Sequence, residues 1–336
     1  MSALTSREIR LKSRPAGKPD ASNFELGTVD VAAPREGEVR VRNRFVSVDP
    51  YMRGRMTDRP SYVPPFQIGE PLQGGAVGEV VDSNDPKLKA GDWVVSMNGW
   101  REAFTAPAAG LQKVDPAAAG VEPQAFLGVL GTTGHTAWAG LHDVGKMQDG
   151  ETVWVSAAAG AVGSVACQLA KARGCTVIGT AGGADKVEYL RSIGVDHAID
   201  YRATDDLKAA IKAVAPKGVH LYFDNVGGDH LEAALDVLRP FGRAVECGMI
   251  AQYNDETPPA GPRNMALIVG KRLRLQGFIV FDHNDSLPAF HEEAIRLIRE
   301  GKLSAPETIV DGVENAPDAF LTLFSGDKLG KMLVRV

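Results

Sequence analysis

Residues Val153–Gly163, V-W-V-S-A-A-A-G-A-V-G, constrain the fold of this chain more than any other stretch. β-Branched and aromatic residues run into a turn of small residues, and a helical pattern starts at once with Val162-Gly163-Ser164-Val165-Ala166. A strand, a small turn and a helix start in that order leave unpaired N–H groups and the positive end of a helix dipole facing one spot. The small residues let the backbone approach an anion placed there. Against the pattern G-x-G-x-x-G, Ala158 replaces the first glycine while Gly160 and Gly163 keep the other two places. A buried strand–helix turn that holds no ligand would read much the same, so the neighbouring sequence has to decide.

It does so by repetition. Cys175–Thr180 reads as a second buried strand, Ala184–Ser192 as an amphipathic helix, His197–Asp200 as a short strand and Asp205–Val214 as a helix. Val219–Phe223 is a fourth strand closing on Asp224-Asn225-Val226-Gly227-Gly228, Asp229–Leu238 a helix, Arg243–Cys247 a fifth strand and Arg272–Val280 a sixth. Short apolar strands alternating with helices of about ten residues predict an α/β fold with a doubly wound parallel sheet of the Rossmann type. Ligands of such sheets lie at the carboxyl ends of the strands, so the small-residue turn is expected to cradle a dinucleotide diphosphate through Gly160, Ala161, Val162 and Gly163. An NAD-preferring sheet carries an acid at the end of its second strand. Here that place reads Gly179-Thr180-Ala181-Gly182-Gly183, with Lys186 following and Tyr201 ending the next strand. A missing carboxylate beside an ammonium predicts a 2′-phosphate, and therefore NADP(H).

The N-terminal third is patterned differently. Residues 7–14, 38–48, 74–82 and 91–97 are short β-rich runs separated by Gly, Pro, Asp and Asn, which predicts an all-β, barrel-like domain. Glu307–Asp311 and Lys331–Val336 read as strands that return to it. The expected division is residues 1–123 with 300–336 for a GroES-like catalytic β domain, and 124–299 for the nucleotide-binding domain. A small-molecule site is expected where two such domains meet. A formal net charge of −5 argues against a nucleic-acid or anionic-membrane partner. The uncharged stretch from Thr152 to Ala170 splits into strand and helix, so no membrane span is expected. The three cysteines, all in the α/β region, read as buried apolar groups of a reducing compartment. With no apolar leader over Met1–Glu8, the expected location is the cytoplasm.

Several motifs together resemble a known family: Val48-Asp49-Pro50-Tyr51-Met52-Arg53-Gly54-Arg55-Met56, Ala157–Ser164, Phe223–Gly228, Cys247–Asn254 and Gly326-Asp327-Lys328-Leu329-Gly330-Lys331. They are similar to the zinc-free, NADPH-dependent alkenal/one double-bond reductases of the medium-chain dehydrogenase/reductase superfamily, which include prostaglandin and curcumin reductases. The resemblance implies that Asn225 lies on the ribose side and that Cys247, Gly248, Ile250, Tyr253, Phe278 and Val280 border the nicotinamide. It also implies a phosphate-side contact at Lys328, where family members tend to carry Asn, and a homodimer formed through the sixth strand. No cysteine precedes Cys167, so the thiolate of a zinc-dependent dehydrogenase has no counterpart, and no metal is expected.

The activity so implied is 1,4-reduction of an α,β-unsaturated aldehyde or ketone, with Tyr253, and after it Tyr51, donating a hydrogen bond to the nascent enolate oxygen. A phenol suits that task because it donates at neutral pH without bringing a charge into an apolar site. A zinc-free NADPH quinone oxidoreductase, or a non-catalytic NADPH-binding sensor, would carry much of the same sequence.

Overall fold

A computed structural model describes residues 4–336 except Pro258 and Asp327, so Asp327 of the tail motif lies outside the described residues. The first strands are β1 (Leu4–Leu11), β2 (Phe24–Val31), β3 (Glu38–Ser47), β4 (Ala76–Ser83), β5 (Trp93–Ser96), β6 (Ala103–Pro107) and β7 (Gln112–Val114). Six more follow: β8 (Thr152–Val155), β9 (Thr176–Ala181), β10 (His197–Asp200), β11 (Val219–Asp224), β12 (Leu238–Glu246) and β13 (Arg274–Gly277). The chain ends with β14 (Glu307–Asp311) and β15 (Lys331–Arg335). Two compact units result, one holding the residues up to Leu127 with Glu307–Lys328 and Met332–Val336, the other Gly128–Pro306 with Leu329–Lys331.

The first unit is an antiparallel β structure. Its sheet runs β14-β15-β3-β4-β5-β7 with β6 also on β3, and β1 and β2 pair as a separate ribbon. β15 joins β3 antiparallel, Leu333 opposite Ser47 and Arg335 opposite Phe45. Side-chain packing makes the same link. Phe320, from the C-terminal helix Ala316–Leu321, meets Phe24 and Trp100 edge-on at 6.2 and 6.1 Å, and the Trp100 indole donates to Ser47 O (3.2 Å). Such aromatic groups bury large apolar areas, and here the indole's polar edge is satisfied as well. β2, β6 and β7 do not stand out in the sequence: β2 breaks its alternation by exposing the adjacent Glu25 and Leu26, and β7 has only three residues.

The second unit is built on a parallel sheet ordered β10-β9-β8-β11-β12-β13. Strand order reverses between β8 and β11, leaving a crevice at their carboxyl ends where doubly wound sheets bind ligands. β8 and β11 are almost wholly buried, which explains their near-continuous apolar sequence. Several element ends differ from the sequence-based expectation, most of all those of the last two strands of this sheet. The fifth strand begins at Leu238 rather than Arg243. The sixth covers only Arg274–Gly277: Arg272, at φ 53°, caps the helix Ala266–Lys271, and β12 ends at Glu246 opposite Gly277. Beyond Gly277 no strand is left to pair with, so Phe278–Val280 leave the sheet.

The helix Ala161–Ala172 packs its buried face on this sheet and carries one buried amide, Gln168. Gln168 Nε2 donates to Ser164 O (2.9 Å) and Ser304 O (2.6 Å), and Oε1 accepts from Ser304 N (2.9 Å). The Gln168→Ala chain should lose about 1–3 kcal/mol of stability in urea denaturation, from the three hydrogen bonds of a buried amide; an unchanged midpoint would show that this clamp carries nothing.

Candidate functional site

The turn after β8 is shaped by close contacts. Ala157 takes φ 44°, Ala158 N donates to Thr180 O (2.9 Å), and Gly160 N donates to Ala157 O (2.9 Å). Gly160 then caps the helix Ala161–Ala172, whose first turn holds no acidic residue. A Cβ on Gly163 would stand 2.4 Å from Ala157 O, so only glycine lets the helix sit this close to the turn. Gly330 braces the turn from the tail, its N–H donating to Ala159 O (2.9 Å). Gly160, Ala161, Val162 and Gly163 thus offer a helix start and a tight backbone turn to an anion.

Ala158 fills the place of the missing first glycine, and the space for its methyl comes from the adjacent strand. A Cβ on Gly179 would lie 3.0 Å from the Ala158 Cβ, 3.1 Å from Leu190 and 3.3 Å from Val195. The small residue that the turn gave up stands on β9 instead.

Asp224, at the end of β11, organises the next loop. It has no solvent exposure, and its Oδ1 accepts from Tyr222 Oη (2.8 Å), Ser156 Oγ (3.0 Å), Val226 N (2.8 Å) and Gly227 N (2.9 Å). Its carbonyl accepts from Cys247 N (2.9 Å) and Gly248 N (3.1 Å). Asn225 reaches back to β8, donating from Nδ2 to Ser156 O (2.7 Å), while its own carbonyl accepts from Ile250 N (3.3 Å). The segment Cys247–Tyr253 therefore hangs from the end of β11. Within it the Tyr253 hydroxyl accepts from Met249 N (3.3 Å). Burial and the acids Asp224 and Glu246 push the Cys247 thiol up to about 12, so it is a neutral packing group.

At the ends of β9 and β10 the expected residues are joined by one the sequence reading missed. Lys186 stands in the first turn of the helix Ala184–Ser192. The Tyr201 ring meets His230 edge-on at 5.0 Å, and its hydroxyl lies 3.1 Å from where a Gly182 side chain would begin. Arg202 Nε lies 2.7 Å from the same point, so two donor side chains converge on the backbone of Gly182. Asp200 Oδ1 ties the two strand ends together, accepting from Gly183 N (3.1 Å) and Arg202 N (2.9 Å). The backbone donors, the Gly183 N–H first, hold that carboxylate ionised, so it is an acid shared by the two strand ends. Arg202 could have been suspected from the sequence only as a cation beside Tyr201.

The remaining expected residues are carried by other elements. Phe278 and Val280 follow the edge strand β13, with the Phe278 ring 5.9 Å from His283. Lys328 is half-buried in the tail. Tyr51 belongs to the other unit, at the start of the one-turn helix Met52–Arg55, whose Met52 is wholly buried. Arg55 is held by Pro64 O and Gln73 Oε1 (both 2.9 Å), lies 4.1 Å from the centre of the Phe66 ring and bonds the Tyr51 hydroxyl. Burial and the nearby Asp49 raise the Tyr51 phenol well above its ordinary range, so it is neutral. His135 is buried against Phe290 and bonded through Nε2 to Ser286 Oγ (3.0 Å), with burial lowering its basicity; it packs as a neutral group. Among the described residues no group of three or more His, Cys, Asp or Glu side chains is placed to hold a metal ion.

Comparison with known proteins adds to this geometry. A model of the N-terminal domain of oxidoreductases matches residues 7–114, and one described as zinc-binding dehydrogenase matches residues 161–299. The NADPH-dependent curcumin reductase of Escherichia coli is 42% identical, covering 98% of this chain and 97% of its own length. The NADP(+)-dependent 2-alkenal reductase of Nicotiana tabacum is 41% identical over 99% and 98%. The crystal structure of CurA from Vibrio vulnificus in complex with NADPH matches at a TM-score of 0.92 and 39% identity, covering 98% of this chain and 99% of that one.

The exchange of glycine between turn and strand is testable. Gly179→Ala should destabilise the chain by about 1–3 kcal/mol through overpacking against Ala158, and Ala158→Gly in the same chain should restore part of that loss. Strictly additive effects in denaturant melts would show that the two positions do not share space.

Proposed function

The chain belongs to the zinc-free, NADPH-dependent double-bond reductases of the medium-chain dehydrogenase/reductase superfamily, and we propose that it reduces the C=C bond of α,β-unsaturated aldehydes and ketones. NADPH supplies the hydride, which adds to the β carbon and leaves charge on the carbonyl oxygen. The protein's work is to hold the cofactor, exclude water and quiet that oxygen.

Gly160–Gly163 would receive the diphosphate at the helix start, with Lys328 beside the phosphates and Asn225 on the ribose side. Lys186, Tyr201 and Arg202 would receive the 2′-phosphate, two cations and a phenol beside an Asp200 whose Oδ1 is occupied by backbone donors. Cys247, Gly248, Ile250, Phe278 and Val280 would border the nicotinamide. The observation that carries the chemical reading is the setting of Tyr253: its oxygen accepts from Met249 N, which polarises the O–H for donation to an enolate. Tyr51 is the second donor, its oxygen bonded by Arg55. A cofactor ribose hydroxyl or a single water would then deliver the proton to the α carbon. β13 is the last strand of its sheet, and pairing with a second copy along that edge would complete its ladder as a homodimer. Among the described residues no helix is long and apolar enough to cross a membrane, and the three free thiols fit a reducing compartment, which we take to be the cytoplasm.

Tyr253→Phe should lower kcat on an enone about a hundredfold, as loss of one oxyanion donor does, with KM for NADPH little changed. Tyr51→Phe should lower kcat in the same way. If both keep full kcat the phenol assignment fails, and a panel in which only quinones are turned over would overturn the enone reading. Arg202→Ala and Lys186→Ala should each raise KM for NADPH about tenfold or more while leaving KM for NADH unchanged, since each removes a charge-assisted bond to the phosphate alone. An unaltered NADPH/NADH ratio would remove that residue from the phosphate site.

A further inference from the structure

A second carboxyl group stands against Asp224. Glu246 ends β12 as Asp224 ends β11, and the two are register partners on neighbouring parallel strands. Glu246 Oε1 and Oε2 and Asp224 Oδ2 are all buried, and among the described residues no donor N–H or O–H reaches any of them. The two side chains are nonetheless within hydrogen-bonding reach of one another. Two ionised carboxylates could not share such a place: like charges in a poorly solvated spot repel, and neither oxygen would have a donor.

Among the described residues, the elements packed against the pair supply no countercharge. From β11 the pair faces the Tyr222 phenol, and from β8 the Ser156 hydroxyl, both spent on Asp224 Oδ1. From the helix Gly228–Val237 it faces His230, which burial keeps neutral, and the acid Asp229. On β12 the next residue is the neutral Cys247 thiol, and the register partner on β13 is Gly277, between the uncharged Gln276 and Phe278.

We propose that Asp224 and Glu246 hold one proton between them, carried on Glu246 and donated to Asp224 Oδ2, and that Glu246 is thereby a positioning residue for the nicotinamide segment. Asp224 bears that segment through its carbonyl, which accepts from Cys247 N and Gly248 N, and through Oδ1, which fixes the turn at Val226 and Gly227. A neutral Glu246 lets Asp224 stay in place. An ionised one pushes against it at the root of the segment that carries Tyr253. The inference rests on the cofactor reading only for its functional consequence.

Burial and the adjacent Asp224 raise the Glu246 carboxyl to about 8 from the ordinary 4.5. The folded chain therefore binds more protons than the unfolded chain between those values. Stability falls as pH rises through that window and is level above it.

The test compares wild type with Glu246→Gln, whose amide donates to Asp224 at every pH. Relative to wild type the variant should gain melting temperature steadily from about pH 5 to about pH 8 and no further above. NADPH affinity, read from cofactor fluorescence with no substrate present, should weaken in wild type above about pH 8 and stay level in the variant. If cofactor binding raises the pair's apparent pKa by one unit, the difference is about tenfold. Infrared spectra of wild type alone should show a protonated-carboxyl band that titrates near pH 8, which keeps the test open should the variant fold poorly. Absence of that band, or parallel melting curves, would overturn the shared proton. A titrating band with parallel NADPH profiles would overturn the positioning role. NADPH binding to neither chain would instead overturn the cofactor reading, leaving the band to judge the proton.

Discussion

The buried carboxylate of Asp224 is the interaction on which the cofactor edge of the sheet depends. One oxygen takes donors from β8, β11 and the following turn, while the backbone carbonyl takes two more from the residues after β12. Removing a carboxylate from water is costly unless hydrogen bonds replace the lost solvation, and four donors on Oδ1 do so. The result is that the carboxyl ends of three strands form one bonded piece. The segment bearing Tyr253 has no regular secondary structure beyond a single turn, Ile250–Gln252, yet it is fixed at Cys247, Gly248, Ile250 and Ala251 by backbone bonds to Asp224, Asn225 and Val226.

That dependence explains what could be read from the sequence. Three elements were legible to the residue: Ala184–Ser192, His197–Asp200 and Glu307–Asp311 have the same limits in sequence and structure, because each is bounded by Gly, Asp or Pro. The ends of β12 and β13 were not, since a strand's length is set by its neighbour; β13 stops where β12 stops. Among site residues, the glycine turn announced itself through local spacing. Asp224, Glu246 and Arg202 did not, because each acts through a residue distant in sequence. Glu246 in A-V-E-C-G reads as an ordinary strand-end acid until β11 sets Asp224 beside it.

The same point applies to the nucleotide motif itself. A linear pattern scores Ala158 as a mismatch, but the physical requirement is that one side chain be absent where the turn packs against β9. Gly179 satisfies it from the other side. Spacing in sequence is a proxy for this steric condition and fails when the vacancy moves to the neighbouring strand.

Electrostatics at the two ends of the crevice is managed in opposite ways. At the ends of β9 and β10, Asp200 stays ionised and spends its Oδ1 on backbone donors, beside the cations Lys186 and Arg202. At the ends of β11 and β12 the groups are neutral or share a proton, and the phenol of Tyr253 stands among them. An oxygen that already accepts a hydrogen bond, as Tyr253 does from Met249 N, carries a more polarised O–H. A polarised but uncharged donor is what a developing enolate needs, because its stabilisation grows as charge moves to the oxygen while the ground-state carbonyl gains little.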